Sequence, residues 1–97
     1  MRPIYSADIL DAARALRAAP PEQRAGLART LIAHADAGDR YRRRLRRCHP
    51  ALGGGTLSAA ARTHALSPAP TFYDAEFLNC LQHVITALIA MRTHQKV

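Results

Sequence analysis

The chain has 97 residues and a formal net charge of +7, which suits one small domain with a polyanionic or acidic partner. It contains no Trp and only 5% aromatic residues, so a β-sandwich or β-barrel is not expected, because strands favour aromatic and β-branched side chains. Two cysteines cannot build a disulfide framework, and no secretory signal pattern opens the chain. We therefore expect a single all-α domain, residues 1–97, in the cytoplasm.

A first helix is predicted over about residues 7–18, after a short arm at 1–5. Ser6 is a suitable N-cap for this helix. Apolar residues recur along it at helical spacing and predict one buried face. Its charged residues are expected on the solvent face: Asp11, Arg14 and Arg17.

A second helix is predicted over about residues 21–47, because Pro21 suits a first helical position. Apolar positions at steps of three and four pass through Gly38 without interruption. We therefore favour one long helix bent at Gly38, where glycine weakens the helix by roughly 1 kcal/mol. Two helices joined by a turn at 36–39 are the alternative. With the first helix, this segment forms a helical hairpin over 6–48.

Residues 49–72 form a connector rich in Gly and Pro. Its three consecutive glycines, 53–55, indicate a flexible hinge. Thr56 is a suitable N-cap for a short helix over about 57–65. The glycine run lacks the Lys-Ser/Thr pair of a phosphate-binding P-loop.

A fourth, apolar helix is predicted over about 73–93, within a C-terminal segment 73–97. Its most apolar stretch, about fifteen residues at 77–91, is shorter than the roughly twenty that cross a membrane. A helix that is apolar nearly all round must be central in its fold or shared between subunits. We expect a homo-oligomer whose interface contains Phe77, Leu81, Val84, Ile85 and Leu88. The alternative is a monomer with this helix inserted into a compact four-helix bundle.

The most unusual segment is 39–50, in which six arginines occupy eight consecutive positions. They are Arg40, Arg42, Arg43, Arg44, Arg46 and Arg47. Asp36 and Asp39 precede them and no acid follows within reach, so the local positive charge is not compensated. Arginine binds phosphate bidentately and stays charged at every relevant pH. The cluster predicts a weak contact with the phosphates of double-stranded DNA that is indifferent to base sequence.

Two other interpretations of this cluster stay open. A solvated basic face would keep the chain soluble, and a basic helix would also fit an acidic groove on a partner protein. Recognition of bases is not expected, because the amide side chains that bind adenine lie outside the cluster.

No pattern of residues indicates catalysis, a cofactor or a metal. The side chains of Cys48, His49, Cys80 and His83 are of types that suit zinc. Their spacing is not that of a zinc site, and buried Cys and half-buried His are common in helical cores. We expect a protein that is not an enzyme.

Residues 35–61 resemble a segment of short proteins encoded in alphaproteobacterial gene transfer agent clusters. The matching features are an Asp-Ala-x-Asp-x-Tyr-Arg-Arg run, the pair His49-Pro50, and Gly-x-Gly-Thr-Leu at 53–57. The resemblance implies a small terminase of a phage-like DNA-packaging motor, which is a ring-forming, DNA-binding, non-catalytic partner of the large terminase. The chain has no room for a separate helix-turn-helix domain, so non-specific DNA contacts are expected.

Overall fold

A computed structural model of the chain describes the backbone of residues 2–95 and the side chains of residues 2–93. Its helices are α1 (Ser6–Ala18), α2 (Arg24–Leu45), α3 (Leu57–Ala61) and α4 (Ala75–Gln95). A 3-10 turn, Pro21–Gln23, precedes α2. Within this range there is no strand, only an isolated bridge between His49 and Gly53. The predicted all-α bundle is confirmed.

The core lies where α1 and α2 pack against both α3 and α4. Many of its buried positions are alanines, whose small side chains let the helices approach closely. The largest fully buried side chains are those of Leu16, Leu31, Leu57, Phe77, Cys80 and Val84. Because the core draws on all four helices, the chain buries a continuous apolar cluster without a second copy.

Two residues predicted to form a subunit interface lie in this core instead. Phe77 and Val84 are each only 1% exposed within a single copy, so the interface prediction is wrong for both. The side chains of Leu81 and Leu88 are half-buried at the edge of the core, and Ile85 is 45% exposed. The side of α4 that carries Ile85 therefore faces away from the core.

The first turn of α1 is tied to the first turn of α3 by one carboxylate. Tyr5, not Ser6, is the N-cap residue, and its backbone N–H donates to Asp8 Oδ2 at 2.9 Å. The other carboxylate oxygen, Oδ1, accepts a hydrogen bond from the Ser58 N–H at 3.0 Å. Asp8 is buried, and these backbone donors satisfy both of its oxygens.

The charged residues of α1 do not lie on a solvent face, which corrects the prediction for them. Asp11 is 9% exposed. Arg14 Nε donates to the Ser67 carbonyl at 2.8 Å, and Arg17 pairs with Asp74 at 3.0 Å. The hydrogen bond to Asp74 raises the pKa of Arg17 against the opposing effect of burial. These long side chains bind the segments that lead into α4, a role that periodicity does not reveal.

The junction between α1 and α2 is closed by a buried arginine. Arg24 Nε donates to the carbonyl oxygens of Leu16 at 2.8 Å and Ala19 at 3.0 Å. Its Nη2 donates to the Arg17 carbonyl at 3.1 Å and lies 3.4 Å from a carboxylate oxygen of Glu76. The Leu16 carbonyl also accepts from the Ala19 N–H at 3.0 Å, and Arg24 supplies donors to the Arg17 and Ala19 carbonyls at the end of α1.

α2 is continuous through Gly38, so the alternative with a turn at 36–39 is wrong. A Cβ atom on residue 38 would lie 3.1 Å from the Leu52 carbonyl oxygen. Glycine here permits close packing of the connector against α2. The helix ends at Leu45, earlier than predicted, because Arg46 adopts the left-handed conformation with φ 57°.

α3 is shorter than predicted, and α4 begins and ends about two residues later than predicted. Thr56 caps α3 as expected, since its Oγ1 accepts a hydrogen bond from the Ala59 N–H at 3.0 Å, but α3 ends at Ala61. α4 begins at Ala75, after Asp74. No helix in the part of the chain that the structure describes is both long and apolar enough to cross a bilayer.

Candidate nucleic-acid interface

The six clustered arginines lie at the C-terminal end of α2 and just beyond it, and we call them the basic surface: Arg40, Arg42, Arg43, Arg44, Arg46 and Arg47. Five are exposed and Arg42 is half-buried. Cations near a helix C-terminus are stabilised by the helix dipole. The left-handed residue at 46 turns the chain away from the helix axis, so the last two arginines lie outside the helix rather than on it.

Half of the basic surface is paired with the two aspartates that precede it. Arg40 Nε lies 3.6 Å from Asp36. Asp39 pairs with Arg42 at 2.8 Å and Arg43 at 3.2 Å. Among the described side chains, no ion pair forms with the remaining three: Arg44, Arg46 and Arg47. Their charges face solvent and are available to an anionic partner.

Asp39 is the buried anchor of this arrangement, with only 3% of the residue exposed. Burial alone would raise the pKa of its carboxyl group. The hydrogen bond from Arg42 and the charge of Arg43 outweigh burial and lower the pKa below its usual value. Asp39 is therefore ionised at neutral pH, and it holds two guanidiniums in place while neutralising only one charge.

The connector folds back onto α2 and supports the basic surface. Gly53 and Gly55 have positive φ values of 75° and 94°, which favour glycine. His49 and Gly53 exchange backbone hydrogen bonds of 3.3 Å and 3.0 Å. A Cβ atom on residue 55 would lie within 2.5 Å of Asp39. The glycine run is thus a packed turn, which corrects the prediction of a flexible hinge.

His49 organises the turn that follows the arginines. Its Nδ1 accepts hydrogen bonds from the N–H groups of Ala51 at 2.9 Å and Leu52 at 3.0 Å. In the neutral ring the proton therefore resides on Nε2, which remains a donor. The ring packs edge-on against Tyr41, with centroids 4.6 Å apart. The turn is fixed to α2 by this contact as well as by its backbone.

Sequence reasoning missed one further arginine at this end of the molecule. Arg2 Nη1 donates to the Gly54 carbonyl at 3.2 Å, which brings a seventh guanidinium beside the connector. Because 52 residues separate the two partners, no local pattern could have identified the contact. The N-terminal arm therefore adds positive charge next to the basic surface.

A cleft of about 530 Å³ lies between the C-terminal half of α2 and the connector. Two arginines of the basic surface form part of its wall, together with an imidazole, a phenol and two aliphatic side chains. The lining residues are Ala37, Arg40, Tyr41, Arg44, His49 and Leu52.

The four residues considered for zinc are not arranged as a metal site. Cys48 is exposed in the connector, whereas Cys80 is fully buried in the core. Burial raises the pKa of the Cys80 thiol, in spite of the nearby charges of Arg24 and Arg17. Of the residues described, no group of three or more His, Cys, Asp or Glu is placed to hold a metal ion.

The chain belongs to the family described as a domain of unknown function (DUF7742), whose model matches residues 2–88. That match covers α1, α2, the basic surface, α3 and much of α4. Neither the curated proteins nor the solved structures contain a match.

Proposed function

We propose that the protein is a non-catalytic DNA-packaging adaptor that binds double-stranded DNA through the basic surface. The observation that carries this proposal is a set of three exposed arginines that form no ion pair with any side chain the structure describes: Arg44, Arg46 and Arg47. Three more arginines, paired with Asp36 and Asp39, precede them along the chain. Guanidiniums that exchange water for phosphate oxygens gain charge-assisted hydrogen bonds and release counterions from the DNA.

The surface suits the DNA backbone better than the bases. It carries no Asn or Gln with which to read base edges. Contacts to phosphate position a protein on the duplex without carrying sequence information. We therefore expect binding that is sensitive to salt and insensitive to sequence.

Self-association is the second part of the proposal. Leu78, Ile85 and Ile89 are 45%, 45% and 61% exposed, and their spacing places them along one side of α4. We infer that this side meets a second copy. Several basic surfaces joined in one assembly, such as a ring, would strengthen a DNA contact that is weak in a single copy.

The third part of the proposal is recruitment of a large terminase, which is supported by the resemblance of residues 35–61 to small terminases of gene transfer agents. On that basis the assembled protein presents DNA to a large terminase in the cytoplasm, and the large terminase performs the ATP hydrolysis and cleavage. In this proposal the adaptor binds and positions the DNA and does not itself catalyse a reaction.

The test is the salt dependence of binding to two duplexes of equal length and unrelated sequence, measured by fluorescence anisotropy. We expect equal affinity for both duplexes. The slope of log K against log salt should be about −3 to −5, which corresponds to roughly three to six phosphate contacts. The absence of salt-sensitive binding at any protein concentration would overturn the proposal. In that case, docking of the basic surface into an acidic protein groove would be favoured.

A further inference from the structure

The cleft beside the basic surface lies between two walls that are held in place by contacts within the chain. Its α2 wall is helical, and its opposite wall is held by the two hydrogen bonds to His49 Nδ1. The close approach of Gly38 to Leu52 fixes the distance between the walls. Sites for small molecules are usually preformed clefts of about 300–1,000 Å³, and the cleft volume of about 530 Å³ lies in that range.

The polar groups that line the cleft include hydrogen-bond donors from two positively charged arginines and from a histidine. Arg40 and Arg44 are separated by one helical turn, where like charges repel. Arg40 is partly compensated by Asp36 at 3.6 Å, and no described residue forms an ion pair with Arg44. The Nε2–H of His49 adds a third donor. An anion with several acceptor oxygens would relieve the repulsion and satisfy these donors together.

The remaining walls of the cleft are apolar or aromatic. Tyr41 and Leu52 face the same space as the two arginines, and Ala37 adds a small aliphatic surface. A free inorganic anion would use the donors but leave these walls unfilled. A ligand with an anionic end and a flat, largely apolar body would use both.

We propose that this cleft binds the terminal phosphomonoester of a nucleotide, with the phosphate at Arg40, Arg44 and His49 and the base against Tyr41 and Leu52. A phosphomonoester carries a charge of about −1.5 to −2 at neutral pH, which matches two guanidiniums better than the single charge of an internal phosphodiester. The ligand is either a free nucleoside monophosphate or the phosphorylated end of a DNA strand. The inference goes beyond backbone binding, because it assigns a discrete site to a different phosphate group.

The first experiment titrates the full chain with deoxyadenosine monophosphate by calorimetry, and uses deoxyadenosine and inorganic phosphate as comparison ligands. We expect the nucleotide to bind at least about tenfold more tightly than either comparison ligand, because only the nucleotide engages both kinds of wall. Equal affinity for inorganic phosphate and the nucleotide would overturn the proposal.

Two arginine variants separate the cleft from general electrostatics. Arg44→Gln removes a donor of the cleft, and Arg47→Gln removes the same charge from a residue outside it. We expect the first to weaken nucleotide binding about tenfold or more, and the second to change it less than about twofold. Equal weakening by both variants would refute the cleft as a site.

A third variant, His49→Asn, tests the imidazole donor while keeping the turn. An Asn side-chain oxygen can accept backbone N–H groups in such turns, but the variant lacks the Nε2–H. We expect it to keep the thermal midpoint close to that of the wild type and to weaken nucleotide binding several-fold. Unchanged nucleotide affinity in the folded variant would contradict the assigned role of His49.

The source of the ligand is distinguished with 5′-phosphorylated and 5′-hydroxyl duplexes. A gain in affinity from the terminal phosphate identifies a strand end, and equal affinity together with nucleotide binding identifies a free nucleotide. Binding to the phosphates of the DNA backbone predicts that Arg44→Gln and Arg47→Gln weaken duplex binding equally. If the proposed function fails, salt-sensitive duplex binding is absent. If only the cleft site fails, duplex binding remains and selective nucleotide binding is absent.

Discussion

Gly55 lies so close to Asp39 that a Cβ atom on residue 55 would be 2.5 Å from the Asp39 Cα atom. The connector therefore packs closely against α2 beside the Asp39 carboxylate, which pairs with Arg42 and Arg43. The geometry of the basic surface therefore depends on a glycine that follows the last arginine by eight residues.

Replacing this glycine should destabilise the fold. Gly55→Ala introduces a Cβ at a positive φ and against helix backbone, and we expect it to lower the free energy of unfolding by at least about 2 kcal/mol. Gly26→Ala is the matched control, because its Cβ would meet only the end of the Arg29 side chain at 3.7 Å. The control should be stabilising by up to about 1 kcal/mol. Urea unfolding that shows similar effects for both would contradict the packed turn.

Arg24 should be the most important cation for stability. Arg24→Met keeps much of the aliphatic bulk but removes the side-chain donor of the Arg17 and Ala19 carbonyls and one of the two donors of the Leu16 carbonyl. We expect a loss of about 2 to 3 kcal/mol. Arg29→Met removes an exposed arginine from the same helix and should change stability by less than about 0.5 kcal/mol. Thermal unfolding of the two variants checks the difference. A change for Arg24→Met as small as that for Arg29→Met would show that its hydrogen bonds contribute little.

Stability should fall in acid because of Asp39 and Asp74. For both, burial raises the pKa, but hydrogen bonds from Arg42 and Arg17 respectively, with further favourable contacts, lower it overall. A lowered folded-state pKa means that the stabilisation is complete above the unfolded-state pKa of about 3.9 and is lost as pH falls through the folded-state value.

We therefore expect a nearly constant free energy of unfolding from pH 7 to about pH 5 and a decline below about pH 4. Asp39→Asn should cost about 1 to 3 kcal/mol at neutral pH and make the acid decline shallower. Glu22→Gln controls for the loss of one negative charge from an exposed side chain. Urea titrations across this pH range provide the measurement, and an unchanged acid slope in Asp39→Asn would argue against its role.

The exposed side of α4 should control self-association. Ile85→Glu places a charge among Leu78, Ile89 and their counterparts in a second copy, and we expect it to shift the solution mass towards that of one chain. His83→Glu, on an exposed position of the same helix, should leave the assembly intact. Light scattering gives the mass directly. A wild-type protein that stays monomeric over the accessible concentration range would contradict self-association through α4.

Much of the helical architecture could be predicted from the sequence. The apolar period through Gly38 correctly indicated a continuous α2, and the position of Thr56 before an alanine-rich run correctly indicated a cap. The period of α4 did not indicate which side would be buried, because apolar residues surround it. Placing Phe77 and Val84 in the core and Ile85 outside required the positions of the other helices.

The support of the basic surface could not have been predicted in this way. The left-handed conformation of Arg46 occurs in a residue type that rarely adopts it, so the end of α2 carried no glycine signal. The contact of Arg2 with Gly54 joins distant parts of the chain. The buried Asp11 pairs with Arg62 at 3.2 Å and with Arg14 at 3.8 Å, and hydrophobic periodicity contains no information about a partner as distant in sequence as Arg62.

The contribution of the basic surface to DNA binding is measured by comparing two double variants with the same net charge. Arg44→Gln with Arg47→Gln removes two cations of the basic surface that pair with no described side chain, and Arg29→Gln with Arg92→Gln removes two exposed arginines elsewhere. We predict that the first pair weakens duplex binding about tenfold or more and reduces the salt slope by about two, whereas the second pair leaves the slope unchanged. Equal loss of affinity in both pairs, or no loss in either, would contradict the assignment of DNA binding to the basic surface.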